Sequence, residues 1–175
     1  LFKTLANFYT KKQSIVSWQD LSEQYFKIYN DRLKNNPRPQ QSNPFRRSVQ
    51  ETIFYKLQNN RIDYDQAISE IGKDGFNDVI PRFQAFGKDK ETLKNYFYEY
   101  DFGKKLILKD NLFDIPEKQM NSLFKEAEMK HNMLEGAYLI KRDNFKLEND
   151  IRNIYLIKGY DRTDLSNQRD FLLAY

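Results

Sequence analysis

Arg38, Arg46 and Arg47 fall within one ten-residue stretch, with Asn43 between them and Gln50 just beyond. Side chains of these types suit a nucleic acid. A guanidinium binds phosphate through two parallel hydrogen bonds, which an ammonium cannot do. Arg also matches the guanine edge, and Asn or Gln the adenine edge. Asn43-Pro44 reads as a helix start, with Asn as N-cap and Pro where its missing N–H costs nothing. Such a helix end favours phosphate through its free N–H groups. Phe45, Val49, Ile53 and Leu57 would form the apolar stripe of that helix, which leaves Arg46, Arg47 and Gln50 turned to solvent. With the basic pair Lys11 and Lys12, the candidate DNA-binding set is Lys11, Lys12, Arg38, Asn43, Arg46, Arg47 and Gln50. The competing explanation is ordinary solvated charge around an apolar face.

The charge distribution points the same way. The 175 residues carry 29 Lys plus Arg and 25 Asp plus Glu, a net +4. Residues 1–60 hold ten basic and four acidic side chains, a net +6, whereas residues 61–175 sum to −2. An excess confined to one third of a chain is the usual footprint of a polyanion contact.

Catalytic chemistry finds less support. With no Cys, the chain has no thiol nucleophile, no disulfide framework and no thiolate metal site. A single His excludes any scheme that needs two imidazoles. Asp74, Asp78, Glu99, Asp101, Asp110 and Asp114 offer carboxylates, but a PD-(D/E)xK-type nuclease core also needs Asp/Glu-x-Lys on a strand. Asp89-Lys90 and Glu117-Lys118 lack the intervening residue. No Lys stands two residues after Glu148 or Asp150, and Asp101 to Lys104 is too long. His131 has Glu128 and Glu135 at i−3 and i+4, so a two-carboxylate metal site is conceivable. A core or boundary histidine is the plainer reading. No phosphate-binding glycine loop and no Gly-x-Ser-x-Gly elbow occurs.

The elements that must position these groups follow from periodicity and punctuation. Apolar residues make up 39% of the chain, but 14 Phe, 12 Tyr and one Trp can bury a real core, spread as they are over nearly every element. Leu1 to Lys12 reads as a helix and Ser14-Ile15-Val16 as a break. Ser17 with Asp20 then caps a helix bearing Trp18, Leu21, Tyr25 and Ile28, so that the outline is that of a helix-turn-helix, although most such pairs are only packing units. Lys34 to Asn43 is a polar, Pro-bearing loop. Asp63 with Gln66 opens another helix closed by Gly72, and Asp78 caps the next, with Pro81 in its first turn and Gly87 beyond its end. Tyr96 to Tyr100 and Leu106 to Leu108 form a hairpin across Asp101-Phe102-Gly103-Lys104, or else residues 91–100 are helical. Pro116-Glu117 begins the longest helix, striped by Met120, Phe124, Ala127, His131, Leu134 and Tyr138. Ile154 to Ile157 reads as a strand paired with Phe145-Lys146-Leu147, and a last helix starts near Thr163 or Asp164. The expected fold is α+β, predominantly helical with a small antiparallel sheet or hairpins. Residues 1–90 form its basic helical region and 91–162 its hairpin, long helix and strands. Residues 163–175 begin a helix leading onward. Leu1 and Tyr175 both fall inside helix-like runs, as expected at an expression boundary or for a module excised from a longer protein.

Three stretches resemble the region upstream of the catalytic motif in bacterial HNH-type endonucleases of the restriction or defence kind. Phe76 to Gln84 is similar to an aromatic-x-x-Val-Ile-Pro-Arg-Phe segment. Leu123 to Tyr138 is similar to a long helix that precedes a short sheet, and Asp164 to Tyr175 to a helix that runs into a Cys-x-x-Cys-bearing HNH module. With no Cys pair and no second His, no catalytic residue carries over. The resemblance implies an N-terminal, target-selecting region without its nuclease module, and a divalent metal only for that module. The expected partner is double-stranded DNA, with a second copy of the chain as a candidate and no membrane, in a cytoplasmic setting. The alternative is a helical assembly module that uses the Met120–Tyr138 stripe.

Overall fold

A computed structural model describes residues 1–43, 45–85 and 94–146, the last five by backbone alone. The described chain runs α1 (Phe2–Thr10), β1 (Ile15–Ser17), α2 (Trp18–Asn35), α3 (Val49–Gln58) and α4 (Tyr64–Glu70) with a π-helical extension (Ile71–Gly75). It continues through α5 (Val79–Phe83), β2 (Tyr98–Asp101), β3 (Lys105–Leu108), α6 (Asp110–Phe113) and α7 (Glu117–Lys146). This is a helix-dominated α+β fold with one three-stranded antiparallel sheet in the order β1-β3-β2. The expected strand at Ile154 to Ile157, the helix near Thr163, Leu147 and Gly87 lie outside the described residues. Phe145 and Lys146 end α7 and are not a strand.

Local hydrogen bonding sets most boundaries. The Ser17 hydroxyl accepts the Asp20 N–H at 3.0 Å and starts α2. Asp63 and Gln66 exchange side-chain-to-backbone hydrogen bonds of 2.8 and 3.0 Å and start α4. At the end of α1, Lys12 takes a left-handed φ of 57°. The Gln13 N–H then donates to Phe8 and the Lys12 N–H to Tyr9, which satisfies carbonyls a helix end leaves open. The β2–β3 hairpin turns at Gly103, whose φ of 81° suits a residue without a Cβ.

Two expectations give way here. The break between α1 and α2 is a strand, with Val16 opposite Leu106 and Ile15 opposite Ile107, so the pair is not a helix-turn-helix. Gly72 does not close α4, because the chain winds on to Gly75. Gly72 serves close packing instead. The Trp18 indole N–H donates to its carbonyl at 2.8 Å, and a Cβ there would stand 2.9 Å from the Ser22 hydroxyl.

The core joins both sides of residue 90. Leu5, Phe8, Val16, Leu21, Tyr25, Phe26, Phe76 and Ile80 pack with Tyr98, Leu106, Leu108 and Met120. Dispersion of the aromatics over many elements is thus core usage for Tyr25, Phe26, Phe76 and Tyr98, each at most 2% exposed. The α7 stripe is spent inside the chain, against α1 and the end of α2. Met120, Ala137 and Tyr138 are buried and Phe124 partly so.

Candidate nucleic-acid interface

The α2–α3 connection is anchored at its root. Arg32, near the end of α2, grips Glu135 of α7 with both arms of the guanidinium, Nε to Oε1 at 2.5 Å and Nη2 to Oε2 at 2.8 Å. Its Nη1 reaches Glu128 at 2.6 Å. Lys3 of α1 pairs with the same Glu128. Gln40, in the connection itself, donates to Glu135 and receives the His131 Nε2–H at 3.0 Å. Burial, reinforced by the Arg32 charge, holds His131 down at about 4, so its ring is neutral and Nε2 donates. Burial and Arg32 likewise lower Lys3 to about 8. With Glu128 and Glu135 committed to Arg32, the His131 metal reading loses its ligands. Among the described residues no group of three or more His, Asp or Glu could hold a metal ion.

Beyond that root the connection turns outward. The Asn43 carboxamide oxygen accepts the Phe45 N–H at 2.9 Å, a local turn and not a helix cap. Helix α3 starts six residues after Asn43, at Val49. Ser48 and Glu51 form its capping box. The capping box satisfies the Ser48 and Glu51 N–H groups, and the Glu51 carboxylate, which accepts the Ser48 N–H at 2.8 Å, places a negative charge at the helix N-terminus that opposes a phosphate there. Arg46 and Arg47 precede the helix and are exposed. The Arg47 guanidinium lies 4.2 Å from the centre of the Tyr55 ring.

Gln50 overturns its expected role. It is 8% exposed and donates to the Tyr25 hydroxyl at 3.0 Å, so it holds α3 to α2 and does not face a base. A helix start moved from Pro44 to Val49 shifts the buried face. Ile53 and Leu57 remain on it, Val49 (41% exposed) and Phe45 (82%) leave it, and Gln50 joins it.

The remaining candidates fall into two groups. Since Lys3 and Arg32 both reach Glu128, the start of α1 lies beside the end of α2. Lys11 and Lys12 sit at the other end of α1, about 12 Å along its axis from Lys3 at 1.5 Å per residue. Each lies over a ring of its own helix, Phe8 and Tyr9. The half-buried Arg38 belongs with Arg46 and Arg47 in the α2–α3 connection.

Ion pairing sorts the cations further. Of the ten in residues 1–60, Lys3, Lys27, Arg32 and Lys56 are paired with Glu128, Asp31, Glu128 and Glu135, and Glu70. Lys34, Arg38, Arg46 and Arg47 make no ion pair with another described residue, and residues 34–48 contain no carboxylate. Sequence reasoning missed Arg32 and Gln40, and singled out Glu135 only as a conceivable metal ligand beside His131. Only Glu135, an acid one helical turn from His131 on a buried stripe, carried a signal that it needed a cation.

No described helix is long and apolar enough to cross a membrane. In comparisons with known proteins, no family model, curated protein or solved structure matches this chain.

Proposed function

We propose that this chain binds DNA through the α2–α3 connection, residues 34–48. One observation carries the reading. Four cations and no carboxylate occupy that segment, unpaired among the described residues, whereas Lys3, Lys27, Arg32 and Lys56 elsewhere in residues 1–60 are held in ion pairs. Free Lys and Arg displace the counterions condensed on a duplex, which supplies affinity without sequence choice. The Glu51 carboxylate at the start of α3 opposes a phosphate on that helix end, so the reading relies on the side-chain cations. The resemblance of Phe76–Gln84, Leu123–Tyr138 and Asp164–Tyr175 to HNH-type endonucleases supports the wider proposal, that this is the target-selecting region of such an enzyme. In that reading the chain binds and a separate module, with a divalent metal, cleaves.

Fluorescence anisotropy with a labelled duplex at two salt concentrations tests the proposal. Affinity should fall steeply with salt, by about 0.9 in log–log slope per phosphate neutralised. Binding that ignores salt would sink the electrostatic account. Magnesium-dependent nicking by the pure chain, abolished by point substitution, would sink the division into binding and cleaving parts.

A further inference from the structure

A cleft of about 650 Å³ opens between α2, α4 with its π-helical extension, and the β2–β3 turn. Trp18, Tyr64, Ile68 and Phe102 supply its apolar lining. The Trp18 and Phe102 ring centres lie 4.7 Å apart, and the indole N–H fixes Trp18 to the Gly72 carbonyl at 2.8 Å. Phe102 and Tyr64 are 43% and 40% exposed, so this lining is open to a ligand. Two carboxylates, Glu23 and Asp65, share the cleft, and neither makes an ion pair with another described residue. Burial raises the Tyr64 hydroxyl above its ordinary pKa, and the charges of Glu23, Asp31 and Asp65 add to this against Lys27. Lys27 is itself held by Asp31 at 3.2 Å, which leaves Glu23 and Asp65 as the uncompensated charges around Tyr64. Lys73 is the one cation among the described lining residues, and the two carboxylates outnumber it.

We propose that this cleft is a binding site for a small organic cation, an ammonium group carried on an apolar body. Apolar walls with a few placed polar groups are the usual make-up of a small-molecule site. The volume of about 650 Å³ falls within the roughly 300–1,000 Å³ such sites occupy. An ammonium is drawn to aromatic rings through their quadrupole and to carboxylates through its charge. Its apolar body replaces water against Trp18, Ile68 and Phe102. An anion meets the opposite field, because Glu23 and Asp65 outweigh Lys73. The π-helical turn Ile71–Gly75 supplies Gly72 and Lys73 to the wall, and π-helical turns recur at functional sites. The cleft is separate from the basic connection. Glu23 and Lys34, where the connection begins, are eleven residues apart on α2, about 17 Å along its axis. The proposal therefore does not depend on DNA binding.

The test uses the full 175-residue chain and three probes with the same phenyl body: 2-phenylethylammonium, 2-phenylethanol and phenylacetate. Trp18 emission and titration calorimetry report binding. The variants are Glu23→Gln combined with Asp65→Asn, Phe102→Ala, and Lys73→Met, with circular dichroism to confirm the fold. The ammonium should bind about tenfold more tightly than the alcohol, and the carboxylate more weakly still. The double carboxylate variant should lose about tenfold for the ammonium and bring it level with the alcohol. Phe102→Ala should weaken the ammonium several-fold, and Lys73→Met should leave it as tight or tighter. Equal affinity of the parent for ammonium and alcohol would make the cleft apolar only and overturn the proposal. Tighter binding of phenylacetate, lost in Lys73→Met, would assign the cleft to an anion and overturn it too. So would parental ammonium affinity in the double variant, or no binding of any probe by either measurement.

Discussion

Arg32 and Glu135, 103 residues apart in sequence, form a two-armed ion pair in which the carboxylate is only 2% exposed. This contact ties the end of α2 to α7 and, through Gln40, fixes where the basic connection leaves the core. Removing one partner strands a buried charge, which typically costs about 3–5 kcal/mol. Arg32→Ala should lower the free energy of urea unfolding by about that much, and Glu135→Ala by less, because Arg32 keeps Glu128. The double change Arg32→Met with Glu135→Leu should recover most of it, because no charge is then left alone. A single variant with parental stability would show that the pair is solvated.

His131 makes this same contact sensitive to acid. Its pKa is held at about 4, below its ordinary 6.5, mainly by burial. The unfolded chain therefore takes up a proton below pH 6.5 that the folded chain refuses until about pH 4. Stability should drop as pH falls through that window, by roughly 1–3 kcal/mol. Above pH 6.5 the residue is neutral in both states and has no effect. Urea midpoints for the parent and His131→Gln should diverge between pH 6.5 and 4.5. Parallel curves would place His131 in water.

Gln50, Ile53 and Val49 separate the two accounts of α3. Gln50→Ala should cost about 1–2 kcal/mol by stripping the Tyr25 hydroxyl of a buried partner, with no change in DNA sequence preference. Ile53→Ala, at 2% exposure, should cost about 2–4 kcal/mol. Val49→Ala, exposed, should change stability by less than about 0.5 kcal/mol. A shift in base preference on Gln50→Ala would restore the base-reading role expected from sequence.

Gly72→Ala should destabilise the fold by about 1–3 kcal/mol, since its Cβ would press on Ser22 and on the Trp18 ring. Trp18 is the chain's one tryptophan, so its emission reports the disturbance directly. Unchanged emission and stability would mean that α2 and the π-helical segment separate easily.

Arg46→Ala and Arg47→Ala should each weaken DNA binding by about tenfold, at the upper end for a charge-assisted phosphate contact, and lower the salt slope by about 0.9. The double variant Lys11→Ala with Lys12→Ala, altered at the far end of α1, should bind nearly as the parent does. Anisotropy titrations that rank these variants in the opposite order would move the interface to the Lys11–Lys12 end.

Several features were legible in the sequence because they depend on neighbours a few residues away. Ser17 with Asp20, Asp63 with Gln66, the Gly103 hairpin and the Pro116-Glu117 start of α7 are of this kind. Caps and tight turns close their hydrogen bonds within about four residues, so composition and spacing nearly decide them. The same logic misplaced the start of α3, where Asn43-Pro44 and Ser48-Val49-Gln50-Glu51 both offer local signals. The reciprocal hydrogen bonds of Ser48 and Glu51, with Gln50 and Ile53 packing inward, fall to the later one.

Tertiary structure alone decided the rest. β1 has three residues, too few for alternation to register, and is a strand because β3, some 90 residues on, supplies its hydrogen bonds. Ten cations in residues 1–60 look alike in sequence. Whether each is free depends on carboxylates as distant as Glu128 and Glu135, which only folding brings within 3 Å. Charge sign is written in the chain, but charge availability is a property of the packed structure, because it is set by distances that no local pattern encodes.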